Sequence, residues 1–226
     1  MSGGEKENHS GVLSQGLISM LAYGVNFAAS FFAIIGIMRL MGQESYGVFS
    51  LAITIVASTS MISDFGISPV IMRRLAIAPG RAGSILLEAT SVRLLLLLPT
   101  WILSLAVGYA LEPTMNFMII LNVMLLNVVV SSKVPVLRGT LEAFFRSQSR
   151  MGTPTITMAI DSLMLLVAVL VMPLSFLDPV SAMVVYTASN LMGALLLTVL
   201  SVRYARKINT EAVRITRACM RDLIVT

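Results

Sequence analysis

Long apolar runs separated by short polar gaps set the pattern of this chain. Six runs are present, at 13–38, 46–72, 85–111, 114–132, 153–177 and 179–202. Each is close to the ~20 residues that an α-helix needs to cross a bilayer. The pattern predicts an all-α integral membrane protein, a bundle of six transmembrane helices over residues 12–203. A polar tail at 1–11 precedes it and a basic amphipathic stretch at 204–226 follows it.

Polar residues inside the runs are few and patterned. Gln15, Ser19, Tyr23, Asn26 and Ser30 recur at steps of three and four, which puts all five on one face of the first helix. Such a stripe is either the wall of a watery cavity or a seam of helix packing through small and polar side chains. Asn116, Asn122 and Asn127 mark the fourth run. Ser189, Asn190 and Gly193 mark the sixth, where close helix packing is expected.

Two acids fall within the runs, Asp64 in the second and Asp161 near the inner end of the fifth. Hydrocarbon penalises an ionised carboxylate unless something pairs or shields it, so each acid is expected to face something other than lipid. Gly66 and Pro69 follow Asp64 closely. Proline lacks the amide donor and its ring crowds the carbonyl of Phe65, so the second helix is expected to kink or open there. A broken helix beside an acid suits a binding site or hinge, and also suits a kink kept for packing alone.

Charge sharpens the topology. The chain has 16 Lys plus Arg against 11 Asp plus Glu, a charged fraction of 12% and a mean hydropathy of +0.89. Nearly all the cations sit in the gaps between runs, which reports orientation rather than a nucleic-acid partner. A cytoplasmic N-terminus puts Lys6, Arg73, Arg74, Arg81, Arg93, Lys133, Arg138, Arg146, Arg150 and every cation from Arg203 onward inside, and Arg39 alone outside. The expectation is a multi-pass protein of the cell (inner) membrane with both termini cytoplasmic. Residues 1–11 lack the features of a cleavable signal, so the first run reads as a retained span.

Between runs four and five, Arg138, Glu142 and Arg146 lie four apart, as expected of an inward helical extension of the fourth run with intrahelical charge pairs. Those pairs suit a solvated face, or else a contact with an anionic headgroup or substrate. Glu88 and Arg93 open the third run near the inner surface, before a wholly apolar stretch that reads as scaffold facing lipid. The basic tail through Arg214, Arg217 and Arg221 reads as a helix along the inner headgroups.

Catalytic chemistry finds no support. One cysteine, Cys219, excludes an internal disulfide, and one histidine, His9, excludes a paired-histidine metal site. No phosphate-cradling glycine loop is present, and no serine has a histidine to activate it. The 16 methionines read as apolar filling. No enzyme, cofactor or metal is expected.

The stretches Arg39-Leu-Met-Gly-Gln-Glu-Ser-Tyr-Gly-Val-Phe-Ser-Leu-Ala and Ile62-Ser-Asp-Phe-Gly-Ile-Ser-Pro-Val-Ile-Met-Arg-Arg-Leu-Ala resemble the N-terminal signature of polysaccharide flippases. These are the O-antigen and polysaccharide biosynthesis transporters of the multidrug, oligosaccharidyl-lipid and polysaccharide exporter superfamily. Leu137-Arg-Gly-Thr-Leu-Glu-Ala-Phe-Phe-Arg is similar to that family's segment between helices four and five. The resemblance implies two six-helix bundles enclosing a cationic cavity for the pyrophosphate and sugars of a polyprenol-linked oligosaccharide, which crosses by alternating access. On that basis the substrate-binding candidates are Arg39, Asp64, Arg73 and Arg74, with the intramembrane polar residues Asn26 and Asp161 beside them.

Six helices are half of the family's complement, so the chain resembles one lobe of a two-lobe transporter. The expected partners are membrane lipid, the lipid-linked oligosaccharide and a second six-helix bundle, either the missing half of a truncated product or another subunit. Two other readings stand beside this one. In a cation-coupled drug exporter of the same superfamily, Asp64 and Asp161 would couple the ion; in a non-transporting scaffold of a glycan synthesis complex, Asp64 and Arg74 would be dispensable.

Overall fold

A computed structural model describes residues 3–64, 66–131, 137–148, 150–172 and 178–225, and places side chains within 14–62, 66–78, 80–131, 138–148, 150–172 and 178–205. The described residues form seven α-helices and one 3-10 turn, without strands: α1 (Gly3–Asp64), α2 (Ile67–Ile77), the turn Pro79–Arg81, α3 (Ala82–Leu111), α4 (Met115–Val130), α5 (Leu137–Ser147), α6 (Gly152–Val171) and α7 (Pro179–Val225). Four of them are long and apolar enough to cross a membrane: α1 over Ser14–Ile62, α3, α6, and α7 over Pro179–Ala205.

The difference from six expected spans has two local causes. Runs one and two are continuous in α1 except at Gly42, whose φ of 76° and ψ of 170° interrupt the helix. That backbone region is open essentially to glycine alone. The apolar part of α1 is 49 residues, roughly 74 Å if straight at ~1.5 Å per residue, against a hydrocarbon core of ~30 Å. Gly42 is where that excess length is divided. Run four, in turn, yields only the 16 residues of α4, because the helix ends at Val130 and Ser131 is extended (φ −65°, ψ 140°).

Two further expectations are corrected. The second run does not continue to Met72: α1 stops at Asp64, Gly66 is left-handed (φ 76°, ψ 13°), and α2 starts anew at Ile67. Pro69 then sits in the first turn of α2, where its missing amide costs no helical bond. Of the kink or opening expected beside the glycine and proline, the helix takes the opening. Likewise α5 is a separate helix, not an extension of α4; it packs on α2, α3 and α7.

The molecule has two differently built ends. Glu44 and Ser45, Thr114 and Asn116, and Asp178 and Pro179 line one cleft of about 310 Å³, so the turns beside Gly42, before α4 and before α7 converge. Asp178 caps α7 there: its Oδ1 accepts the Ser181 amide at 3.2 Å, with Pro179 in the first helical position. These hydrogen bonds from Ser181 hold the Asp178 carboxyl below its usual range. At the opposite end α2, α3, α5 and α7 close a second core of Ile71, Leu75, Ile85, Phe144, Phe145 and Leu197. The main core, among them Ile37, Val56, Phe117, Leu121, Met124 and Met183, fills the space between α1, α4, α6 and α7.

Polar residues inside the bundle are used as seams. Thr59 and Ser104 hydroxyls lie 2.6 Å apart between α1 and α3, and Asn190 donates to Asn127 Oδ1 at 3.0 Å between α7 and α4. The stripe on α1 faces α6 in the same manner. Ser162 donates to Asn26 Oδ1 at 2.6 Å and lies 2.8 Å from Ser30 Oγ, while the Gly152 amide donates to Gln15 Oε1 at 3.3 Å. Ser19 bonds within its own helix to the Gln15 carbonyl, and Tyr23 remains 49% exposed. Gln15, Asn26 and Ser30 are thus used in packing α1 against α6.

Because the Gly42 conformation excludes a Cβ for reasons of backbone rather than space, Gly42→Ala is expected to destabilise the protein by about 1–3 kcal/mol. A thermal unfolding midpoint in detergent micelles that stays at the wild-type value would contradict this reading of the break.

Candidate functional site

The sequence places Arg138, Glu142 and Arg146 on one side of α5, and Thr157 and Asp161 one turn apart on α6. Where the two helices meet, Arg138 Nη1 donates to Asp161 Oδ2 at 2.5 Å and Nη2 to Thr157 Oγ1 at 2.9 Å. Its Nε lies 3.4 Å from Glu142 Oε1, and Arg146 donates to Glu142 Oε2 at 3.3 Å. Asp161 Oδ1 accepts the amide of Gly193 from α7 at 2.9 Å. Three helices are joined through one carboxylate.

Burial distinguishes this cluster from a surface ion pair. Arg138, Asp161 and Glu142 are each at most 3% exposed. The expectation of a solvated face on α5 is therefore corrected: the pairs form, but inside. Isolated charges so placed would cost several kcal/mol each, and here each one has an opposite charge beside it. Burial pushes the Glu142 carboxyl up to about 7 against the pull of Arg138 and Arg146.

A second buried cation ties the same helix from the other side. Arg93 of α3, with no exposed surface, donates to Thr140 Oγ1 of α5 at 2.9 Å and to Ser68 Oγ of α2 at 2.6 Å. α5 is thus held to α2, α3 and α6 by guanidinium groups. The third run is scaffold only beyond this point, where Leu94, Leu95 and Leu98 are exposed.

The six candidates named from sequence do not meet in one place. Arg39 is exposed beside the Gly42 break at the acidic end of the molecule. Arg73 and Arg74 are exposed on α2 at the other end, where Arg74 donates to Glu88 at 3.1 Å. This pair edges a cleft of about 280 Å³ floored by Ile67, Val70, Ile85 and Val92. Asn26 and Asp161 both serve the packing of α6, Asn26 through Ser162, the neighbour of Asp161. Asp64 ends α1, and its side chain lies outside the described residues.

Sequence reading did not name Arg93 as a site residue, marked Gly193 only for close helix packing, and left the Arg138 and Glu142 pairs either on a solvated face or in contact with an anionic headgroup or substrate. One signal was available for α5: Leu141, Ala143, Phe144 and Phe145 surround Glu142, and so apolar a context is poor for a solvated face. The role of Gly193 depends on tertiary approach. A Cβ there would collide with Asp161 Oδ1 and lie 2.7 Å from the Thr157 carbonyl oxygen.

All-helical, with helices long and apolar enough to cross a bilayer and polar seams between them, the chain has the build of an integral membrane protein. The family model described as "Polysaccharide biosynthesis protein" matches residues 12–225, and the chain belongs to that family. No curated protein and no solved structure matches it. The family is the one that the motifs at Arg39 and Ile62 resemble, and it makes the chain a membrane protein of polysaccharide biosynthesis.

Gly193→Ala is expected to cost about 1–3 kcal/mol by forcing Asp161 or α6 aside. Gly47→Ala, at a helical position with open space around it, is expected to be neutral or slightly stabilising. Equal unfolding midpoints for the two variants would show that the close approach at Gly193 carries no energy.

Proposed function

We propose that this chain is one lobe of a transporter that flips a polyprenol-linked oligosaccharide across the cell membrane, in company with a second six-helix bundle. Family membership supports the pathway. The observation that carries the lobe reading is the outer face of α1 after its break. Thr54 and Ser58 are exposed there and Ser50 half-exposed, on a spanning segment that ends at Asp64. The hydroxyls turn back on the helix, Ser50 to the Gly47 carbonyl at 3.0 Å and Thr54 to the Ser50 carbonyl at 2.9 Å. Small hydroxyl residues of this kind suit apposed helices or a polar cavity better than lipid.

In this reading Gly42 divides α1 into two crossings and α4 is a short crossing beside α1, α3 and α7, making six crossings in all. The end bearing α2 and α5 is cytoplasmic, since Arg73, Arg74, Arg81, Arg146, Arg150 and Arg203 gather there while Glu44, Glu112 and Asp178 lie at the other. Both termini are then inside. Arg73 and Arg74 meet the pyrophosphate on the cytoplasmic side, Arg39 meets it on the far side, and Asp64 lies between them at the helix break. Asn26 and Asp161 support the lobe rather than touch the substrate. No bond is made or broken, so the protein is not an enzyme and calls on no cofactor.

Expression in a strain lacking its lipid-linked oligosaccharide flippase tests this directly. Together with a second bundle the chain is expected to restore surface polysaccharide, and Arg73→Ala/Arg74→Ala to reduce it severalfold at unchanged membrane level. Restoration that is indifferent to the paired arginines would favour a scaffold. Accumulated lipid-linked precursor in every case, with the protein present in the membrane, would count against transport.

A further inference from the structure

Arg138 stands between two carboxylates whose situations are unequal. Asp161 holds the guanidinium at Oδ2 and the Gly193 amide at Oδ1. Glu142 is less well served: its Oε1 has no hydrogen bond, only the Arg138 Nε at 3.4 Å, and its Oε2 is reached by Arg146 at 3.3 Å. Arg146 is 41% exposed, so the Glu142 carboxyl adjoins a side chain that reaches water. Of the two acids, Glu142 is the one that loses least by becoming neutral.

We propose that Glu142 is a reversible proton-binding site of this lobe. Proton uptake assigns Arg138 wholly to Asp161 and leaves the charge of Arg146 uncompensated at the basic end of the molecule. With all four groups charged the cluster is neutral; with a proton on Glu142 it carries one positive charge.

The groups around Glu142 are consistent with this. From its own helix come Arg138 and Arg146, and from α6 comes Asp161, whose negative charge favours the proton. α4 carries no charged residue. Arg93 of α3 is turned to Thr140 and Ser68, Arg74 of α2 to Glu88, and Arg73 is exposed. From α7, Tyr204 lies against Phe144 and Phe145, and it is covered by Arg150 at 4.3 Å. Burial is thus the dominant influence, and it sets the carboxyl at about 7 rather than 4.5.

The linkage has a definite sign. Between about 4.5 and 7 the folded protein holds a proton that the unfolded chain has released. This contribution to stability is full below the unfolded value and is lost as pH rises through the folded one.

Infrared pH-difference spectra of the purified protein in lipid nanodiscs, read in the protonated-carboxyl region, test the site without reference to transport. The wild type is expected to show a band titrating near pH 7. Glu142→Gln should lose that band and the fall of thermal stability with rising pH, while Arg146→Gln should move the midpoint to higher pH by removing a cation that opposes protonation. Glu142→Gln imitates the protonated form and is expected to fold, as its helical circular dichroism will show. A wild-type protein with no such band between about pH 5 and 9, or a band unchanged in Glu142→Gln, would overturn the proposal. Because Glu142 is placed outside the substrate path, loss of this site would leave the flippase reading standing, and the reverse also holds.

Discussion

Everything at the α2 and α5 end of this protein depends on a charge that has nowhere else to go. Arg138 is inside, against Asp161, Thr157 and Glu142. In a low-dielectric interior such a pair contributes little net stability over an apolar replacement, yet removing one member strands the other at a cost of about 3–5 kcal/mol. The pair therefore acts less as glue than as an address. It fixes α5 on α6 at one register, and the Gly193 amide fixes α7 on the same carboxylate. Arg93 repeats the device, tying α3 to α5 and to α2.

This explains why a helix that does not cross the membrane is built into the bundle. Helices in lipid gain little from hydrophobic association, so their pairing relies on close packing and on polar contacts. The spans use hydroxyl and amide seams such as Thr59 with Ser104 and Asn127 with Asn190. α5 has stronger ties, and its Phe144 and Phe145 also pack on Tyr204 of α7. The acidic end, by comparison, is made of turns: Gly42, the short connection before α4, and the capped start of α7. A lobe with one rigid end and one end of short turns is compatible with rocking as a unit, as the proposed transport requires.

Much of the fold was legible because membrane helices announce themselves by length and apolarity. The run at 85–111 became α3 within a few residues, and the run at 153–177 became α6, which begins at Gly152 and ends at Val171. The break near Asp64 was legible too, since glycine and proline act locally. What sequence misjudged were matters of tertiary surroundings. Gly42 was not marked as the single residue that interrupts α1, because a glycine announces its freedom but not its use. Charges on α5 read as solvated because intrahelical spacing is visible in sequence, whereas the approach of α6 is not. Asp161 was found as an acid in an apolar run, but its partner lay beyond a chain break in the pattern. The importance of Gly193 exists only through the carboxylate that leans on it.

The central claim is that Arg138 and Asp161 act as one unit holding α5 to the spanning bundle. A double-mutant cycle of Arg138→Met and Asp161→Asn, read by reversible unfolding in mixed micelles, measures it. The account predicts that the double variant is less damaged than the sum of the singles by at least about 1 kcal/mol. Additivity within about 0.5 kcal/mol would mean that the two charges are neighbours without being partners, and the account would fail.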